Sequence, residues 1–329
     1  MTPLPVPLSL LDRSRTRAGE NHAAALPATA QRAQRAEKLG LRRFWVAEHH
    51  AVPGIASGSP PVLIAAVAAR TDRIRVGSGG VMLPNHQPMI VAEQFAMLQA
   101  LHPGRIDLGL GRSLGFTAPV REALGVTRYP PEQFEGEIGE LLDFLTGSGP
   151  VTAMPVLAEP PPVFVLATGS GLQVAARAGL PVVVGGPALR ADHGGLEAYR
   201  SAFRPSRSCP EPHVIISLDV MVAETTARAR ELLLPEAWAM ADSRTTGAFP
   251  PLSPVEEVRA RVPTAKQART IEQTLDGAVY GTAEQVREAL SHLIERTGAA
   301  EVLASTSTYD RADLAEADAA LAALFPTDP

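Results

Sequence analysis

The chain has 329 residues, 45% of them hydrophobic and 5% aromatic, and a formal net charge of −5; that length is generous for an ordinary domain and normal for an α/β barrel with insertions. The acidic balance and the lack of a long basic run argue against nucleic acid or an anionic membrane as a partner. Cys209 is the only cysteine, which excludes an intrachain disulfide and a cysteine-based metal cluster.

From the start of the chain, β-rich runs alternate with helical patterns, the signature of βα units on a parallel sheet. Residues 5–11 read as a strand, and 20–39 as a helix with Leu26, Ala30, Ala33 and Ala36 on one face and Gly40 as its stop. Strands at 43–49, 74–83 and 105–111 follow, with helices at 60–70 and 88–101 between them. After a long connection, Phe134, Ile138, Leu141 and Leu145 share a helix face. Strands at 162–167, 181–185 and 213–223 come next, each followed by a helix. Residues 241–277 hold Pro250, Pro251, Pro254 and Pro263 without sustained periodicity, and read as a mobile insertion with room for a short helix. Thr282 and Gln285 form a capping box for a helix, 301–305 is the eighth strand, and Asp310 caps the last helix. The predicted fold is one α/β domain over residues 1–329, a (β/α)8 TIM barrel with insertions at its C-terminal face; a doubly wound sheet would show the same periodicity. Residues 1–11 have no basic stretch ahead of an apolar run, and the longest apolar run, 60–69, is too short to span a bilayer, so a cytoplasmic protein is expected.

Barrel enzymes place their chemistry at the C-terminal ends of strands, so the polar residues there are the candidates. The second strand ends in Glu48, His49 and His50. Adjacent strand residues face opposite ways, so His49 and His50 do not chelate one metal together, and no metal is expected. One should face the mouth, as a general base or hydrogen-bonding group, and the other the helix layer or a partner subunit. The third strand contains Gly77, Ser78, Gly79 and Gly80; glycine within a strand marks close approach of a ligand, a bulge or crowding by neighbours. Arg112 follows the fourth strand. Thr168, Gly169, Ser170 and Gly171 open a helix after the fifth, where free N–H groups suit a phosphate, as they would suit any capped helix start. There is no dinucleotide fingerprint, P-loop, nucleophile elbow or zinc-protease motif.

Several long segments resemble one family. They are residues 44–50, 75–86, 88–94 and 101–112, the last reading Leu-His-Pro-Gly-Arg-Ile-Asp-Leu-Gly-Leu-Gly-Arg, and the helix start at 280–286. Together they resemble the bacterial-luciferase-like flavin-dependent monooxygenases over nearly the whole chain. The resemblance implies a barrel that is usually a homodimer and uses reduced FMN, supplied by a separate flavin reductase, with O2 as co-substrate. It implies that His49 supports the oxygenated flavin, carried as a C4a peroxide. Glu48, Ser78, Gly79 and Gly80 would lie at the flavin, Arg112 on its phosphate, and Thr168 to Gly171 at the phosphate-binding helix start. It further implies a cis peptide between Gly79 and Gly80 and a lid at 241–277. Where the light-emitting relatives carry a reactive cysteine this chain has Gly111, so bioluminescence is not expected. The expected reaction is hydroxylation, epoxidation or Baeyer–Villiger oxidation of a small organic substrate. Lysine occurs only at Lys38 and Lys266 beside abundant Arg, Ala, Pro and Gly, a bias of G+C-rich genomes that suggests tailoring of a natural product such as a polyketide. The alternatives are a deazaflavin-dependent hydride-transfer enzyme on the same barrel and a non-catalytic flavin-binding protein.

Overall fold

The computed structural model describes residues 2–167, 169–189 and 194–327. Its strands are β1 (Leu8–Asp12), β2 (Arg43–Val46), β3 (Arg75–Ser78), β4 (Val81–Met82), β5 (Ile106–Gly111), β6 (Val163–Leu166), β7 (Val182–Gly185), β8 (Val214–Leu218), β9 (Val220–Val222), β10 (Val279–Gly281) and β11 (Glu301–Ala304). The helices are α1 (Ala25–Lys38), α2 (Pro60–Ala68), α3 (Pro88–Leu101), α4 (Ala118–Ala123), α5 (Pro131–Thr146), α6 (Ser170–Ala178), α7 (Gly194–Ala202), α8 (Thr226–Thr246), α9 (Val255–Ala260), α10 (Ala265–Leu275), α11 (Ala283–Thr297) and α12 (Arg311–Ala322).

The strands pair in parallel in the order β3, β2, β1, β11, β8, β7, β6, β5, β4, and β3 also pairs with β5. That last pairing closes the sheet, and with β3 and β4 as two parts of one wall segment the barrel has eight staves. Closure decides between the two topologies that periodicity left open. The long segment at 74–83 is interrupted at Gly79–Gly80, whose peptide bond is cis, as expected. The expected strand at 213–223 divides at Asp219. Its second half, β9, leaves the barrel and pairs with β10 in a separate two-stranded sheet.

Alternation along the staves sorts the core into two layers. Phe44 and Val46 of β2 pack outward with the helices, whereas Trp45 and Ala47 face the barrel interior with Leu11, Phe164, Val183, Ile215 and Leu303. Ala30, Ala33 and Ala36 of α1 are buried as expected, but Leu26 is exposed; in the first turn, Ala25 and Thr29 take the inward face instead. The base of the barrel is an ion cluster. Arg43 bridges Asp107 at 2.8 Å and Glu301 at 3.0 Å, and Arg75 bonds Asp107 at 2.5 Å. Such a cluster has to be complete, because a buried charge without a partner costs several kcal/mol.

Residues 241–277 hold more helix than the single short one the sequence left room for. They complete α8 and form α9 and α10. Thr264 and Gln267 make a capping box for α10, and Val258, Ile271 and Leu275 pack with Trp238 of α8. Among the described residues, no helix is long and apolar enough to cross a membrane.

Candidate active site

A cavity of about 960 Å³ opens at the C-terminal ends of the strands, with His49, Gly79, Gly80, Arg112, Phe116 and Ala167 among its lining residues. Four segments that lie far apart in sequence therefore meet at one mouth.

Ala47 faces the interior, and His49, two residues on, lines the cavity. His49 is half-buried, and its Nδ1 is buried without a hydrogen-bond partner. Burial, followed by the charges of Arg13 and Arg15, lowers its pKa to about 4. At neutral pH it is an uncharged imidazole, which offers one N–H and one lone pair and is a poor proton acceptor. The arginines stay charged through an ion network of their own. Arg15 Nε donates to Glu236 Oε2 at 2.9 Å, and Arg13 lies 3.3 Å from Glu236 and 3.4 Å from Asp219. Arg13 and Arg15 follow the end of β1, so the strand-end rule, extended to the first strand, would have found them.

Glu48 and His50 also line the cavity, and the Glu48 carboxylate is fully buried. Its Oε1 accepts from His50 Nε2 at 2.6 Å and His86 Nε2 at 2.8 Å, and its Oε2 accepts from the Met82 N–H at 2.9 Å. Burial alone would raise its pKa, but these hydrogen bonds outweigh it and hold the pKa at about 2. His86 was not singled out in the sequence, because it stands beyond the end of a different stave.

Ser78 is fully buried. Its hydroxyl donates to the Gly109 carbonyl at 2.8 Å and accepts from the Gly109 N–H at 3.0 Å, so it stitches β3 to β5 rather than facing the cavity. The glycines of this stave are crowded by neighbours. A Cβ on Gly77 would come within 2.5 Å of the Asp107 carbonyl oxygen, on Gly79 within 2.6 Å of Leu11, and on Gly80 within 2.8 Å of the Gly109 carbonyl oxygen. The backbone of Gly79 and Gly80 nevertheless lines the cavity.

Arg112 continues from β5 and is half-buried; among the described residues it has no hydrogen-bond or ion-pair partner. The neighbouring stave β6 leads through Ala167 into α6. There Gly169 has φ +56 and open space around it, Ser170 is exposed, and among the described residues no side chain caps the helix. Thr168 lies outside the described residues. The cavity lining reaches Leu166 and Ala167 but not 169–171. An unpaired guanidinium and an uncapped helix start on adjacent staves form a donor set suited to a phosphate. The far rim is aromatic. Phe116 packs edge-to-face on Phe249 with centroids 5.2 Å apart, and the Arg15 guanidinium lies 5.6 Å from the Phe249 ring centre.

Residues 7–301 match the luciferase-like monooxygenase family, and the chain belongs to that family of oxidoreductases. A luciferase-like monooxygenase of Escherichia coli (strain K12) is 34% identical over 324 residues, covering 94% of each chain. The crystal structure of apo-MsnO8 superposes with a TM-score of 0.88 at 31% identity, over 98% of this chain and 99% of that one. An F420-dependent secondary alcohol dehydrogenase in complex with an F420–acetone adduct has a TM-score of 0.67 at 16% identity, over 98% and 99% of the two chains. That likeness concerns the fold alone, so the barrel does not choose between a flavin and a deazaflavin.

Proposed function

We propose that this chain is the oxygenating component of a two-component monooxygenase, which takes reduced FMN from a separate reductase and oxygenates a small organic substrate with O2. The observation that carries this reading is Arg112, a cation at the mouth with no partner among the described residues, one stave away from a helix start that none of them caps with a side chain. Reduced FMN would supply the electrons that activate oxygen. Arg112, Gly169, Ser170 and Gly171 would hold its phosphate, with Thr168 beside them. The backbone of Gly79 and Gly80 would form the wall against its ring. His49, uncharged and with a free Nδ1, would give one hydrogen bond without competing for a proton. Closing the cavity to water would limit wasteful peroxide release. Residues 241–277 are proposed to act as the lid through Phe249, and hydrogen exchange in that stretch should slow when reduced FMN binds.

Ile90, Met97 and Leu101 of α3 are exposed, as is Val62 of α2, a helix that packs against α3. Spacings of seven and four place the three on one helix face, which supports a homodimer through α2 and α3. Leu101→Glu should then shift the protein to monomer in sedimentation experiments.

The test of function is anaerobic titration of the protein with reduced FMN, reduced riboflavin and reduced deazaflavin, followed by admission of oxygen with an NADH-fed reductase present. The reading expects reduced FMN to bind most tightly and the protein to slow hydrogen peroxide release, which free reduced FMN and oxygen give by themselves. Preference for the deazaflavin would establish the hydride-transfer alternative. Tight FMN binding with no effect on peroxide release would establish a non-catalytic flavin-binding protein.

A further inference from the structure

At the cavity wall, where Glu48 and His50 are lining residues, Glu48, His50 and His86 bring three metal-ligating side chains together. Glu48 Oε1 and the two imidazole Nε2 atoms all lie within 4.8 Å of one another. Glu48 and His50 follow β2, whereas His86 follows the turn after β4, so closing the barrel assembles the group. The carboxylate is fully buried, and the Met82 N–H fixes its second oxygen. That is the outer support which orients ligands in metal sites. The imidazoles are 20% and 28% exposed, so the group is open to solvent on one side.

Neither imidazole Nδ1 bonds a described residue. Each ring is therefore free to carry its proton on Nδ1 and turn the Nε2 lone pair inward. Two nitrogens and one carboxylate oxygen are the donors of a zinc-type cation; calcium and magnesium prefer oxygen ligands throughout. Ligands at about 2.1 Å from a tetrahedral ion stand about 3.4 Å apart. The present separations of 2.6 and 2.8 Å would thus have to widen by somewhat more than half an ångström, which two partly exposed rings can supply by rotation.

We propose that His50, His86 and Glu48 form a binding site for one divalent transition-metal cation of the zinc type, with water in the remaining positions. Glu48 and His50 line the cavity read as the flavin site, but the metal proposal stands on the ligand geometry and does not depend on the flavin reading. Its ion would clip the end of β2 to the turn that precedes α3, next to the mouth of the cavity.

The test uses tag-free full-length protein, stripped with EDTA and desalted, titrated calorimetrically with zinc chloride. Cobalt(II) absorption serves as a second readout of the same site. One equivalent should bind in the micromolar range or tighter. His86→Ala and His50→Ala should each weaken binding by at least about tenfold, and zinc should raise the melting temperature of wild type only. Wild type that binds no zinc below millimolar concentration overturns the proposal without any variant. Undiminished binding by either variant, folded by circular dichroism, overturns it too, because it places the ion elsewhere.

Discussion

Arg15 and Glu236 stand 221 positions apart in the chain and meet at 2.9 Å, each side chain no more than 5% exposed. The contact joins the end of the first stave to the middle of α8 behind the cavity. Burial raises the Glu236 pKa, but Arg13 and Arg15 outweigh it and keep the carboxylate ionised. Glu236→Gln would leave both guanidiniums short of a counter-charge, and should cost about 3–5 kcal/mol of stability in urea unfolding, the range for breaking a buried pair. A loss below about 1 kcal/mol, typical of exposed pairs, would show that this network contributes little.

Arg112→Ala should weaken binding of reduced FMN by about 1.5–3 kcal/mol, the range for a hydrogen bond to a charged group. Reduced riboflavin has no phosphate and should bind wild type and variant alike. Equal losses for both ligands would place Arg112 against another part of the flavin.

His49 should titrate near pH 4 rather than near its ordinary value of 6.5, as read from its ring proton shifts. The sign for stability follows. As pH falls below 6.5 the unfolded chain takes up the proton first, so the contribution of His49 is full above 6.5 and declines between 6.5 and about 4. His49→Gln should flatten unfolding free energy against pH in that window. A ring titration near 6.5 would mean that Arg13, Arg15 and burial do not act on it as described.

His49→Ala should also lower the fraction of consumed oxygen that reaches product and raise hydrogen peroxide release, since a hydrogen-bonding group facing the cavity is lost. Unchanged coupling would leave His49 a packing residue.

Gly77→Ala should destabilise the barrel by about 1–3 kcal/mol, as overpacking does, because its Cβ would press on the Asp107 carbonyl at 2.5 Å. Gly111→Ala, whose Cβ would stand 3.8 Å from the Val81 carbonyl, is the control and should melt close to wild type. The reverse order would mean that the wall yields more easily at β3 than its packing suggests.

What the sequence made legible was local. Thr282 with Gln285, and Asp310, cap helices as their spacing requires, and Ala33 and Ile138 lie in the core that their helical periods indicated. The same Thr-x-x-Gln spacing at Thr264 and Gln267 was hidden by the prolines around it. Their place at a strand end marked Glu48 and His49 but could not show that His86 would reach Glu48 from the next stave, or that the Ser78 hydroxyl would be occupied by Gly109. These are relationships across the barrel, and they exist only once β3 has met β5.

The edge-to-face contact of Phe116 with Phe249 has a consequence for recombining this protein with its relatives. One ring belongs to the loop after β5 and the other to the segment after α8, so neither loop forms its share of the rim alone. A chimera that imports only one of them would set a foreign surface against a native ring. The two segments should be exchanged as a pair, and a loop-swapping library built on single segments would sample mostly mismatched rims.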